Sequence, residues 1–128
     1  MSDELSKLPP AVQERLLRLQ QLQQSLQATV MQKQQTELER TENDNALEEV
    51  QKISEDTPMY KSIGSLLIKT EKTKITTELT ERKELLNTRI SVLTKQEERL
   101  RTQMKDLQSK LQQDLNPTAP PTESTLSP

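Results

Sequence analysis

The segment Tyr60–Thr70, YKSIGSLLIKT, constrains this chain more than any other. It is short, apolar and β-prone, and it holds the single glycine, Gly64. Long polar stretches with regularly spaced leucines lie on either side. Met59–Ile63 and Leu66–Thr70 read as strands joined at Gly64-Ser65, with glycine first, as a type II′ turn requires. Leu66, Leu67 and Ile68 are consecutive, so both faces of the second strand are apolar. A strand with one face in water would alternate instead. A lone two-stranded hairpin is also marginal in water. Both points imply strands that enter a larger sheet supplied by other chains. The alternative is a hairpin that only caps its own helices.

The flanks read as helices. Proline suits the first helical turn and disfavours helix before it, so helix 1 should start at Pro9 or Pro10. It should stop between Ile53 and Asp56, ahead of Pro58. That is about 45 residues, or roughly 65–70 Å. Thr73 is the expected N-cap of helix 2, which should end near Asn116-Pro117. In helix 1 a heptad places Val12, Leu19, Leu26, Lys33, Arg40 and Leu47 at a, and Arg15, Leu22, Thr29, Thr36, Asn43 and Val50 at d. In helix 2 the a positions run from Thr76 through Lys83, Ile90, Glu97 and Met104 to Leu111. Its d positions are Leu79, Leu86, Leu93, Leu100 and Leu107. Sustained heptads argue for a coiled coil.

The expected fold class is therefore mainly α: a long antiparallel two-helix coiled coil with one β-hairpin at the helix–helix connection. Residues 1–8 should be a frayed N-terminus and 9–116 the coiled-coil hairpin domain. Residues 117–128, PTAPPTESTLSP, should be a disordered Pro/Ser/Thr tail. With the turn at Gly64-Ser65, Leu19 faces Leu111, Leu22 faces Leu107 and Lys33 faces Glu97. A slip would separate the two charges, so the Lys33–Glu97 layer should fix register more than stability.

Composition narrows the function. Only 30% of residues are hydrophobic, and Tyr60 is the one aromatic, so a broad globular core is not expected. The chain has neither cysteine nor histidine. That removes thiol nucleophiles, thiolate metal sites and the commonest general base. Carboxylate pairs such as Glu48-Glu49 and Glu97-Glu98 sit on solvated helices, without the dry pocket that shifts a catalytic pKa. The net charge of −2 gives no pull toward nucleic acid or an anionic membrane. No apolar run approaches the roughly 20 residues that span a bilayer. The start, MSDELSKLPP, lacks the basic and apolar regions of a signal peptide, so the expected location is cytoplasmic.

At the free end of the helices apolar residues exceed what one seam needs. Leu5, Leu8, Val12, Leu16, Leu17 and Leu19 come from helix 1, and Leu107, Leu111 and Leu115 from helix 2. Leu19, Leu107 and Leu111 are expected to zip the end together. Leu5, Leu8, Val12, Leu16 and Leu115 divide between seam and exposed surface. Exposed apolar surface without hydrogen-bonding specificity suits unfolded chains. One end would bury roughly 300 Å², or about 7 kcal/mol, against an association cost of about 4–15 kcal/mol. Useful capture would need several arms.

Four stretches carry a family resemblance: LPPAVQERLLRLQQLQQ, the hairpin MYKSIGSLLIKT, TKITTELTERKELL and QEERLRTQMKDLQSKL. Together they resemble the β-type subunits of prefoldin, a cytosolic co-chaperone, over nearly all of residues 8–115. The hairpin is the specific part, and one hairpin rather than two fits the β type. The resemblance implies a hexamer of two α-type and four β-type subunits, with the hairpins forming a platform of β-barrels. Met59, Tyr60, Ile63, Gly64, Leu66, Leu67 and Ile68 would then be assembly residues. Leu5, Leu8, Val12, Leu16, Leu19, Leu107, Leu111 and Leu115 would hold unfolded polypeptides, which pass to a group II chaperonin. It implies no ATP, metal or other cofactor. A structural coiled-coil adaptor without holdase activity is the competing reading.

Overall fold

In a computed structural model, residues 7–116 of the chain are described. The expectations for Leu5, for residues 1–6 and for the 117–128 tail lie outside them. The order of elements is α1 (Pro10–Lys52), β1 (Met59–Ile63), β2 (Leu66–Thr70) and α2 (Lys72–Leu115). Two long antiparallel helices thus flank one two-stranded antiparallel sheet.

Pro10 opens α1 because its missing N–H would be unpaired there in any case. The Pro9 carbonyl accepts from Val12 N (3.0 Å) and Gln13 N (3.1 Å), and Gln13 Nε2 donates to the Leu8 carbonyl at 2.7 Å. At the other end α1 stops at Lys52, just short of the Ile53–Asp56 window. There Ile53 N donates to Val50 O (3.2 Å), tightening the last turn. Ser54 then closes a turn of its own, its carbonyl accepting from Thr57 N (3.0 Å) and its hydroxyl from Asp56 N (3.3 Å). Serine competes with helix in this way.

Thr73 is not the N-cap of α2. The helix begins one residue earlier, at Lys72, with Ile75 N donating to Glu71 O at 3.0 Å. The cause lies in Lys72, whose ammonium donates to the Ile53 carbonyl (2.7 Å) and the Gln51 carbonyl (3.3 Å). One cation thereby satisfies acceptors that the end of α1 leaves open. Thr73 instead accepts, through its carbonyl, the Thr77 hydroxyl at 3.0 Å.

The described residues divide into two compact units, 7–31 with 94–116 and 32–93. In the first, Val12, Leu22, Leu111 and the polar Thr29 are buried. Arg15 donates to Asp114 there as an ion pair. That pair stands one heptad along from Leu22 and Leu107 in the pairing set out above. In the second unit, Val50, Leu86, Ile90 and Leu93 are buried together with Thr36 and Asn43. The d column of α1 is therefore polar at three successive layers. Thr29 and Thr36 return their hydroxyls to the carbonyls of Ser25 (2.9 Å) and Gln32 (2.8 Å) on their own helix. Asn43 Nδ2 crosses to the Leu79 carbonyl at 2.8 Å, while its Oδ1 has no partner among the described residues. Polar reaches join the helices around it: Arg40 to Asn87 (3.1 Å), Lys83 to Asp44 (3.3 Å) and Arg82 to Glu39 (3.7 Å).

Lys33 and Glu97 are both half-buried and fall in different units. Glu97 accepts from Arg101 on its own helix, at 2.8 Å and 3.2 Å.

Candidate functional site

Two surfaces stand out, and both are apolar. The first is the hairpin. Met59 pairs with Thr70, Tyr60 with Lys69, Lys61 with Ile68, Ser62 with Leu67 and Ile63 with Leu66. Residues paired across an antiparallel ladder share a face, and faces alternate along each strand. One face thus carries Met59, Lys61, Ile63, Leu66, Ile68 and Thr70. The other carries Tyr60, Ser62, Leu67 and Lys69. Tyr60, Ile63, Leu66, Leu67 and Ile68 are all exposed, Leu67 most at 73%. Met59 is half-buried.

Gly64 has φ +57°, and among the described residues no non-glycine residue has positive φ. A type I′ turn would need positive φ at Ser65 as well, so the backbone matches type II′. The hairpin is tied to α2 by Lys61, whose ammonium donates to Glu78 at 2.8 Å. That hydrogen bond holds the Glu78 carboxyl below the usual glutamate range.

The second surface lies at the terminal unit. Leu115 is 61% exposed and Leu17 58%. Leu8, Leu16, Leu19 and Leu107 are half-buried. Two shallow grooves of about 600 and 500 Å³ lie here. Ala11, Arg15 and Leu107 line the first, Pro10, Gln13 and Leu16 the second, and Leu17 borders both. Val12 (4% exposed) and Leu111 (5%), both among the residues that the resemblance would have hold clients, are buried and offer no free surface; for Leu111 this is the seam role expected from the heptad. Both occupy a positions, where the heptad turns side chains toward the partner helix.

Leu17 was missing from the expected contacts, as were the exposed Leu38, Leu85 and Val92. A signal for them was present. Leu17 and Leu38 fall at f, and Leu85 and Val92 at c, positions that a two-helix seam does not use. Among the described residues no cluster of acidic side chains could hold a metal ion, and no helix is long and apolar enough to cross a membrane.

These features define a class of protein: a helical hairpin whose connecting strands expose apolar side chains on both faces, as a subunit of a larger assembly would. The prefoldin subunit family model matches residues 13–117. The chain is 45% identical to the prefoldin subunit beta of Archaeoglobus fulgidus over 115 residues, covering 90% of this chain and 99% of the relative. It is 44% identical to that of Methanosarcina acetivorans over 114 residues, covering 89% and 97%. The crystal structure of the prefoldin beta subunit from Thermococcus strain KS-1 superposes with a TM-score of 0.79 at 40% identity, covering 86% of this chain and 96% of that one. The chain belongs to the prefoldin family, a family of non-enzymatic co-chaperone subunits that assemble with other prefoldin subunits.

Proposed function

We propose that this protein is an ATP-independent holdase subunit of the β type, working in the cytoplasm. It assembles through its hairpin with α-type and further β-type subunits, as two α and four β. It captures unfolded polypeptides at the terminal unit and hands them to a group II chaperonin. The observation that carries the reading is the hairpin's double exposure: Tyr60 and Leu67 on one face, Ile63, Leu66 and Ile68 on the other. A two-stranded sheet bare on both sides is marginal alone. Partner strands would cover those faces and pair both open edges.

For capture, the supporting features are Leu17 and Leu115 and the two grooves that Leu17 borders. Such contacts are weak singly, and arms fixed on one platform raise the effective concentration of each for a client held by the others.

The test has two arms. Native mass is measured after mixing the chain with its cognate α-type subunit, and a hexamer is expected. Aggregation of a denatured protein is then followed without nucleotide, with the complete assembly and with one trimmed at both helix ends. Suppression should vanish on trimming. A hexamer that never suppresses aggregation would leave the structural adaptor as the better reading.

A further inference from the structure

The two helices of the terminal unit present unlike outer surfaces. The stretch Leu19–Gln32 of α1 holds no charged residue, in a chain where 30% of residues are charged. The next such run within either helix, Ile90–Thr94, is far shorter. Its outward positions are mostly glutamine: Gln20 and Gln27 at b, Gln21 at c, and Gln24 at f, followed at f by Met31. All five are exposed, Met31 at 62%. None of the four carboxamides has a hydrogen-bond partner among the described residues. On α2 of the same unit, by contrast, Glu98, Arg99, Lys105 and Asp106 are exposed, and Arg101 pairs with Glu97.

A solvated helix ordinarily carries charges, which hold water tightly and support the helix through i,i+4 pairs. This part of α1 forgoes both. A glutamine side chain repeats the chemistry of the peptide group: a carbonyl acceptor, N–H donors and no charge. It exchanges water for a backbone partner at little net cost, whereas a carboxylate or ammonium resists desolvation. The neutral stretch also runs directly into the two grooves, since Gln21 lines the first, Gln20 the second and Leu17 both. A docked helix would need apolar anchors at i, i+3, i+4 and i+7. The f column offers Leu17 and Met31 two heptads apart, with Gln24 between them.

Resting on the reading of the terminal unit as the capture surface, we infer that this surface continues from the grooves along α1 over Gln20, Gln21, Gln24 and Gln27 to Met31. Its occupant is the uncharged backbone of an extended, unfolded chain. The grooves take apolar side chains of the client. The carboxamides pair with the N–H and C=O groups that the client's unfolded state leaves bare. Such a surface selects neither sequence nor sign of charge.

The chain has no cysteine, so a thiol-linked photo-crosslinker attaches only where a cysteine is introduced. Leu17→Cys, Gln24→Cys and Lys105→Cys chains are each assembled with the α-type subunit, labelled, and irradiated with a denatured protein of near-zero net charge. Lys105 stands level with Gln24 in the pairing set out above, on the charged outer surface of α2. Client adducts should form at 17 and 24 and be several-fold rarer at 105. Adducts at 17 but not at 24 would overturn the extension and leave capture at the grooves standing. Adducts at none of the three sites would sink both readings. Equal yields at 24 and 105 would mean chance encounter and overturn the inference, as would adducts at 24 with a sister subunit in place of the client.

Independently, Gln20→Glu, Gln24→Glu and Gln27→Glu are combined in one chain, a change that keeps helix propensity. The amount of assembly needed to halve aggregation of the same client should rise about ten-fold, with hexamer mass and helix content unchanged. Added salt should not restore capture, because the loss comes from carboxylates that resist desolvation and not from long-range repulsion. An unchanged requirement, or full recovery in salt, would show that the glutamines touch no client.

Discussion

Asn43 occupies a seam position that most coiled coils give to leucine. It is buried, donates to the Leu79 carbonyl and leaves Oδ1 without a partner among the described residues. A buried polar group in a seam lowers stability and specifies pairing. Asn43→Leu is therefore expected to stabilise the chain by about 1 kcal/mol, read as a higher urea midpoint. A lower midpoint would mean that the Leu79 contact contributes more than desolvation removes. Gly64 makes the opposite case. A Cβ there would meet no atom within 4 Å, so space is not the issue. The issue is φ +57°, which an L side chain adopts at a cost of about 1–2 kcal/mol. Gly64→Ala should weaken assembly by that margin while leaving the helices intact by circular dichroism.

The elements themselves were legible because their periods differ. Heptad leucines gave two helices, and a β-prone run with one glycine gave the hairpin between them. Pro10 and Pro58 bracketed the first helix closely. The start of α2 was harder to read, because it depends on Lys72 reaching back to carbonyls at Ile53 and Gln51, a contact across the hairpin. A local capping rule sees only Thr73. The candidate site was legible in part for a similar reason. Apolar residues near the ends were visible in the sequence, and the heptad already sets Val12 at a apart from Leu17 at f, but how far each is covered depends on packing across the two helices.

The Lys61–Glu78 strut joins strand to helix and gives a pH signature. Glu78 has a lowered pKa in the folded chain, so its contribution is present above the ordinary glutamate value. It is lost as pH falls through the lowered folded value. Thermal unfolding of the native chain and of Glu78→Gln should differ slightly at neutral pH and converge on acidification. A gap that persists at low pH would rule out an ionic origin.

At the scale of the whole molecule, stability and capture should separate. Val12 and Leu111 are buried, whereas Leu17 and Leu115 are exposed. Val12→Ser should lower folding stability by about 2 kcal/mol in urea denaturation. Leu17→Ser with Leu115→Ser should leave stability nearly unchanged and raise several-fold the amount of assembly needed to halve aggregation of a denatured protein. That loss should exceed what a single arm would show, since each weakened arm lowers the avidity of all. Equal stability losses in both variants would place Leu17 and Leu115 in the core.

The threonines of α1 carry one more implication. Their hydroxyls bond backwards along their own helix, so parting the strands of the coil at these two layers strands no polar group. Each layer is a built-in weak tooth in the zipper. Backbone amides around Thr29 and around Thr36 should accordingly trade hydrogen for deuterium sooner than those beside Leu86, which is fully buried.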